Sequence, residues 1–302
     1  MPLPIIPIFL SVKSVANIQQ QRRGGQKYVV YVLWQRIPSL KIHPALPLLG
    51  IPIKDRINPI LIVLLPKEIN INIKTINNTI ILALKEPIID SYCLQIIEES
   101  LTDFMEASEL KLSLQLKTIN QKPKLPCISI YSALTYALAS ELSNFYGVGV
   151  KDILNAISDI EEVHFNKVYM QFINACRQGI VANKSMVYRF GEGYVPINTD
   201  IINIECPGEI KEFKEDHIEY PESIMSALTH ISGVLVLEAY NALLNSNIKY
   251  FMELIRIENA LWYLLYHINI PTTNYAKWVT DFNRAYLIKI RFTQIDNSKV
   301  RR

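Results

Sequence analysis

The order of apolar and polar positions along the chain predicts a series of separate strands and helices. Lys27–Arg36 (KYVVYVLWQR) is dense in Val and Tyr and predicts a strand, after a turn at Gly24-Gly25 flanked by Arg22, Arg23 and Lys27. Pro59–Leu65 and Ile69–Leu84 are Ile-rich β segments, the second broken by a turn at Asn77-Asn78. Ile88–Ala107 has apolar residues at helical spacing, with Glu98, Glu99, Asp103 and Glu106 on the other side. Leu110, Leu112, Leu114 and Leu116 alternate with Lys111, Ser113, Gln115 and Lys117, the period of a half-buried strand. Pro123 and Pro126 break the chain there. Ser129–Tyr146 predicts an Ala/Leu helix ended by Gly147 and Gly149, and Lys151–His164 a second one. Gly179–Phe190 predicts a strand with its turn at Gly191-Glu192-Gly193. Glu222–Leu244 and Ile248–Ile268 predict two long helices joined at Asn245-Ser246-Asn247. A short helix over Asn274–Asn283 and a strand over Ala285–Phe292 close the pattern.

Strands dominate the start and helices the middle and end, with no fixed-period repeat, so the class is α+β. The 302 residues permit one large domain or two lobes. The expected division lies near residue 180, giving lobes 1–180 and 181–302 that share strands and lack a linker.

Composition removes several classes. Half of the residues are hydrophobic and 20% charged, which excludes a disordered chain. A net charge of +3 gives no support for binding nucleic acid or a membrane surface. Four scattered cysteines (Cys93, Cys127, Cys176, Cys206) form no close pair, which excludes a disulfide scaffold and suits free thiols in the cytoplasm. The opening MPLPIIPIFL is broken by three prolines and has no preceding positive charge, so it fits neither a signal peptide nor a span. The apolar window 45–66 is interrupted by Lys54, Asp55 and Arg56. A soluble, cytoplasmic protein is the expectation. Glycine numbers only 10, about half the usual ~7%. Few glycines leave few places where a phosphate can approach the main chain closely. The chain has no C-x-x-C, H-E-x-x-H or G-x-S-x-G motif. Trp262, Tyr263, Tyr266 and Trp278 fit either core packing or a partner surface. The terminal Lys299, Arg301 and Arg302 read as a solvated tail.

From about Lys41 the order of segments resembles the GHMP small-molecule kinases, the superfamily of galactokinase, homoserine, mevalonate and phosphomevalonate kinases. HPALPLLGIP followed by RINPILIVLL has the rhythm of the family's first motifs, with Gly50 on the family's glycine and Pro59 on its later proline. The family's lysine falls at Ala45 and its glutamate at Ile51. LKLSLQLKT leading to KPKLPCISIYSALTYALASEL follows the family's strand, proline and Ala-rich helix, but no glycine stands between Pro123 and Tyr146. Ile128, Ile130 and Tyr131 would crowd a phosphate loop there. Ser129 and Ser132 are the hydroxyls left for nucleotide binding, with helix capping by Ser129 the simpler reading. EEVHFNKVYMQFINACRQGIVANKSMVYRFGEGYVPI places His164 on the family's histidine, Gln171 on the catalytic aspartate and Gly179 on the second of the family's paired glycines. Gln171 has no basic carboxylate and cannot act as a general base. The magnesium-binding glutamate falls one residue before Glu161, so Glu161 or Glu162 is the candidate ligand, against the simpler reading of a charged helix face. WVTDFNRAYLIKIRF stands where the family has a last glycine-rich loop and contains no glycine.

The resemblance implies a two-lobed fold, with a mixed α/β N-terminal lobe and a helix-rich α+β C-terminal lobe. The residues favour a non-catalytic member, a ligand- or partner-binding pseudoenzyme. The alternative is an ATP- and Mg²⁺-dependent kinase of the mevalonate or phosphomevalonate type, within isoprenoid metabolism. It could rebuild its site from Ser129, Ser132, Glu161 and Arg177. The expected partners are a small molecule or a protein, not nucleic acid or a membrane, and a homo-oligomer stays open.

Overall fold

A computed structural model describes residues 39–53, 56–86, 88–119, 123–213, 220–273 and 275–292. The strand expected at Lys27–Arg36, the Gly24-Gly25 turn and the basic C-terminal tail lie outside them. Chain contacts separate Met1–Arg36 from Ile37–Arg302, and every described residue belongs to the second unit.

The first sheet has the order β1-β4-β5-β6, from β1 (Ser39–Ile42), β4 (Ile69–Ile76), β5 (Thr79–Leu84) and β6 (Lys111–Gln115). β4 and β5 form a hairpin across Asn77-Asn78, both with positive φ. Their burial alternates with period two, placing Ile69, Ile71 and Ile73 inward beside Ile80, Leu82 and Leu84. β5 and β6 run parallel, and the crossover between them is α1 (Ser91–Ala107). The second sheet, β2-β3-β7-β8, comprises β2 (Ala45–Leu49), β3 (Ile60–Leu64), β7 (Met186–Arg189) and β8 (Gly193–Pro196). β2 and β3 are buried on both faces, which is why their sequence reads as an unbroken apolar run. Ala45, Ile60 and Ile62 face one core with α1, α2 (Cys127–Tyr146), α3 (Val150–His164) and α4 (Lys167–Ala182). Leu46, Leu48, Leu61 and Val63 face a second core with α5 (Glu222–Leu244) and α6 (Ile248–Tyr266). The third sheet carries β12 (Arg284–Phe292) at its centre, with β11 (Ala276–Asp281) on one side and β9 (Ile202–Glu205) and β10 (Ile210–Glu212) on the other.

Three expectations are corrected. Asn274–Asn283 is not a helix: Ala276–Asp281 is β11, hairpin partner of β12. All six of its residues are buried, and its two charged members have buried partners, so neither helical nor alternating periodicity survives in the sequence. The strand expected from Gly179 begins only at Met186; Gly179 lies inside α4, which ends at Asn183 in the left-handed conformation. There the glycine serves close packing, since a Cβ would lie 3.0 Å from Ile62 Cγ2 and 3.4 Å from Ala45 Cβ. The cysteines are not all unpaired either. Cys93 and Cys127, 34 residues apart, form a disulfide with Cα atoms 5.3 Å apart, because α1 and α2 start side by side. Cys176 and Cys206 are free.

Candidate functional site

The site is built at the N-terminus of α2. The first N–H groups of any helix lack intrahelical acceptors and carry partial positive charge, so they attract an anion. α2 starts after Pro126, which offers no side-chain cap. The acceptor comes from the far end of the chain: the Ile128 N–H donates to Asp281 Oδ1 at 3.0 Å. Asp281 is the last residue of β11 and fully buried. Arg284, the first residue of β12, donates from Nη2 to Asp281 Oδ2 at 2.8 Å and from Nη1 to Asp90 Oδ2 at 2.7 Å. Asp90 is the N-cap of α1 and accepts the Cys93 N–H at 2.9 Å. The guanidinium lies 3.7 Å from the Tyr92 ring centroid, and the Tyr92 hydroxyl donates to Asn283 Oδ1. Two helix N-termini therefore each face a carboxylate, and one arginine joins the two carboxylates. Burial pushes the Asp281 carboxyl above its ordinary value, against the lowering effect of Arg284 and of the Ile128 N–H. The two carboxylates raise the Arg284 guanidinium against its own desolvation.

Behind this cluster a second network fills the space between α2, α3 and α4. Arg177 donates from Nη1 to Glu161 Oε2 at 2.7 Å, from Nη2 to Glu161 Oε1, and from Nε to Thr135 Oγ1 at 2.9 Å. The Tyr131 hydroxyl also donates to Glu161, and Ser100 Oγ lies 2.5 Å from that hydroxyl. Burial, then the Glu161 carboxylate, keep the Tyr131 phenol well above its ordinary pKa, so it remains a donor. Glu161 and Arg177 are 1% and 2% exposed.

The expected site residues are dispersed among these structures. Glu161 is held by Arg177 and Tyr131, while Glu162 is exposed. Ser129 does not cap α2. It sits within the first turn, fully buried, its hydroxyl without a hydrogen-bond partner among the described residues. Ser132 Oγ donates to its own helix at Ile128 O, 2.7 Å. Gln171 is held at both ends by the loop before β3, donating to Arg56 O at 2.6 Å and accepting from the Asn58 N–H at 3.4 Å. His164 Nε2 lies 2.9 Å from Asp103 Oδ2 of α1. Of these residues, His164 alone lines a cavity of about 390 Å³ beside the Asp281–Arg284 turn, with Tyr92, Glu99, Ser100, Tyr169 and Phe282. Among the described residues no three His, Cys, Asp or Glu side chains are grouped to hold a metal ion.

Ala45 and Ile51, at the positions of the resemblance's lysine and glutamate, are core residues. A buried ion pair lies at Gly50, next to Ile51: Lys277 Nζ donates to Glu258 Oε2, and Glu258 Oε1 accepts the Gly50 N–H at 2.6 Å. Desolvation raises the Glu258 carboxyl and lowers the Lys277 ammonium, each opposed by the other.

The arrangement of sheets and helices can be compared with solved structures. The mevalonate kinase of L. major in complex with R-mevalonate superposes with a TM-score of 0.55, at 9% identity, over 86% of this chain and 89% of that one. The fold is that of a GHMP kinase. Phosphomevalonate kinase of Streptococcus pneumoniae (TM-score 0.49, 12% identity, 83% and 91% covered) and mevalonate kinase of Staphylococcus aureus MRSA252 (0.47, 11%, 84% and 89%) also match. No protein-family model and no curated protein sequence matches the chain.

Sequence reasoning missed the Asp90–Arg284–Asp281 cluster. Its signal was present in two places: an aspartate immediately before an amphipathic helix, and an Asp-x-x-Arg pair inside an otherwise apolar stretch.

Proposed function

We propose that this protein keeps the GHMP-kinase fold without phosphoryl transfer and serves as a ligand- or partner-binding pseudoenzyme. One observation carries the reading: a carboxylate of the chain itself, Asp281, takes the anion position at the N-terminus of α2. A helix N-terminus that binds phosphate must offer free N–H groups and room for oxygens. Here the group in that place is negative, and Asp90, Glu99 and Asp103 add negative charge around the adjacent cavity against Arg284. A polyphosphate brought there meets like charge.

The residues present do not fit a magnesium–ATP complex. Glu161 spends its oxygens on Arg177 and Tyr131, and Ser132 spends its hydroxyl on Ile128. Gln171 supplies an amide where the reaction would need a base. The cavity beside the turn suits an uncharged or cationic small molecule, with aromatic walls from Tyr92, Phe165 and Phe282 and polar groups from Glu99, Asn166 and Asn283. Calorimetry with ATP and Mg²⁺ tests the reading. No heat and no thermal shift are expected at millimolar ATP. Micromolar binding that is lost on Ser132→Leu would overturn it in favour of an active small-molecule kinase.

A further inference from the structure

A second cavity, of about 290 Å³, lies between the first and third sheets. Its walls come from the start of β4, the end of β5, the segment before α2, and β9. It shares no lining residue with the cavity beside the Asp281–Arg284 turn. Aliphatic side chains dominate it: Leu65, Ile69, Leu84, Ile88, Leu125 and Ile204. Ile69, Leu84 and Ile88 belong to the first core, Leu65 and Ile204 to the second, and Leu125 packs against both. Ligand pockets favour such junctions between packed units.

The polar rim narrows the occupant. Four charged residues line the cavity. Lys67 Nζ lies 3.9 Å from Glu86 Oε2, and Glu68 lies 3.7 Å from Lys41 and 3.6 Å from His43. Lys124, exposed just before α2, has no ion-pair partner among the described residues. The side-chain amides of Asn70 and Asn203 make no hydrogen bond among them either. One positive charge and two amides are therefore left over at the rim of an aliphatic slot. None of the lining residues is aromatic, so a flat ring finds no face to stack on, whereas a flexible chain can follow branched walls. We infer that this cavity binds an aliphatic monocarboxylate, its chain among the leucines and isoleucines and its carboxylate at Lys124, Asn70 and Asn203.

Volume sets the chain length. An apolar cavity of about 150 Å³ holds benzene, with its six carbons, so 290 Å³ has room for about a dozen non-hydrogen atoms, those of decanoate. A nucleotide fits less well. Its phosphates carry several negative charges against one uncommitted lysine, and the N-terminus of α2, three residues beyond Lys124, already faces Asp281.

Calorimetry of the full chain with hexanoate, octanoate, decanoate and dodecanoate tests the inference. Binding should tighten about fourfold for each added methylene up to decanoate and then level off, because carbons beyond the walls bury nothing more. Octanol and octylamine, of equal length but uncharged or oppositely charged, should bind more weakly than octanoate. Lys124→Glu should weaken octanoate about three- to tenfold and leave octanol unchanged. Lys124 is exposed, so an unchanged circular dichroism spectrum and melting temperature are expected of that variant. No heat with millimolar decanoate, an affinity that keeps rising into dodecanoate, octanol or octylamine binding as tightly as octanoate, or indifference to Lys124→Glu would each overturn the inference. Displacement of decanoate by millimolar ATP would overturn it together with the pseudoenzyme reading. Silence with both decanoate and ATP would overturn this inference alone.

Discussion

Asp281→Ala tests whether the chain supplies its own anion to α2. The substitution removes a buried carboxylate that accepts the Ile128 N–H at 3.0 Å and Arg284 Nη2 at 2.8 Å. A hydrogen bond to a charged group contributes about 1.5–3 kcal/mol. Removing one partner of a buried ion pair costs about 3–5 kcal/mol. Arg284 keeps Asp90 at 2.7 Å and the face of Tyr92, so the loss falls at the low end, about 3 kcal/mol. With a urea m-value near ~3 kcal/mol/M this lowers the midpoint by about 1 M at unchanged slope. Asp281→Asn retains an acceptor for Ile128 and should cost about half as much. The assay has a second arm. Removing the carboxylate leaves Ile128 N–H and Arg284 facing an empty anion position, so inorganic phosphate should bind there and restore stability. At ten times its dissociation constant the gain is about 1.4 kcal/mol. Phosphate also stabilises proteins non-specifically. The decisive quantity is therefore the response of the variant minus that of the wild type at equal ionic strength. A variant within ~0.5 kcal/mol of wild type, or equal phosphate responses in the two proteins, would refute the anion-substitution argument.

Other perturbations separate the remaining claims. Glu161→Ala leaves Arg177 buried without its carboxylate and should cost about 3–5 kcal/mol in urea melts, whereas Glu162→Ala on the exposed face should stay within ~0.5 kcal/mol; comparable small effects would mean Glu161 is not structurally committed. Gly179→Val drives a branched side chain onto Ile62 and should destabilise by about 1–3 kcal/mol, with Gly179→Ala milder. Alkylation followed by mass spectrometry should label no cysteine in the native protein at pH 8, Cys176 and Cys206 after unfolding without reductant, and all four after reduction. Four labels without reductant would refute the Cys93–Cys127 bridge. Burial raises the Cys206 thiol to about 12, above its ordinary ~8.5. A group raised on folding stabilises fully below its unfolded pKa and loses that contribution as pH rises towards the folded value. Wild type should therefore lose more stability than Cys206→Ala between about pH 8 and 10.5, and parallel losses would contradict the shift.

Much of the frame was legible because its periodicities are intact. β4 and β5 alternate, α1 carries a polar stripe, and Asn77-Asn78 punctuates the hairpin. Legibility failed where burial is two-sided. β11 is covered on both faces and holds Lys277 and Asp281 in the core, so the stretch expected as a short helix shows no alternation that would mark a strand. Gly179 was misleading for a related reason: the glycine answers the approach of Ile62 and Ala45 from another sheet, which no local pattern encodes. The disulfide joins residues 34 apart, and its proximity follows from the α1–β6–α2 path alone. Gln171, Ser132 and Glu161, singled out by position, lie apart from one another, each held by a partner of its own: Arg56, Ile128 and Arg177.

These partners share a logic. A glycine loop that wraps phosphate is held open by backbone freedom and completed by a ligand that brings negative charge. When the glycines are absent, the helix N-terminus still needs an anion, since its N–H groups cannot be left buried and unpaired at an acceptable cost. The chain meets that requirement by folding the β11–β12 turn onto α2, so that Asp281 arrives with its own counter-ion, Arg284, three residues later. Arg284 then reaches Asp90 and fixes the start of α1 as well. The charge that a ligand would bring on binding is thus supplied at folding, and it is present in every folded molecule. On the proposed reading, such a site exchanges reversible occupancy for permanent stability. The exchange predicts a protein whose melting temperature is indifferent to nucleotide but sensitive to any one of Asp90, Asp281 and Arg284, with the three losses strongly non-additive because the groups share one network.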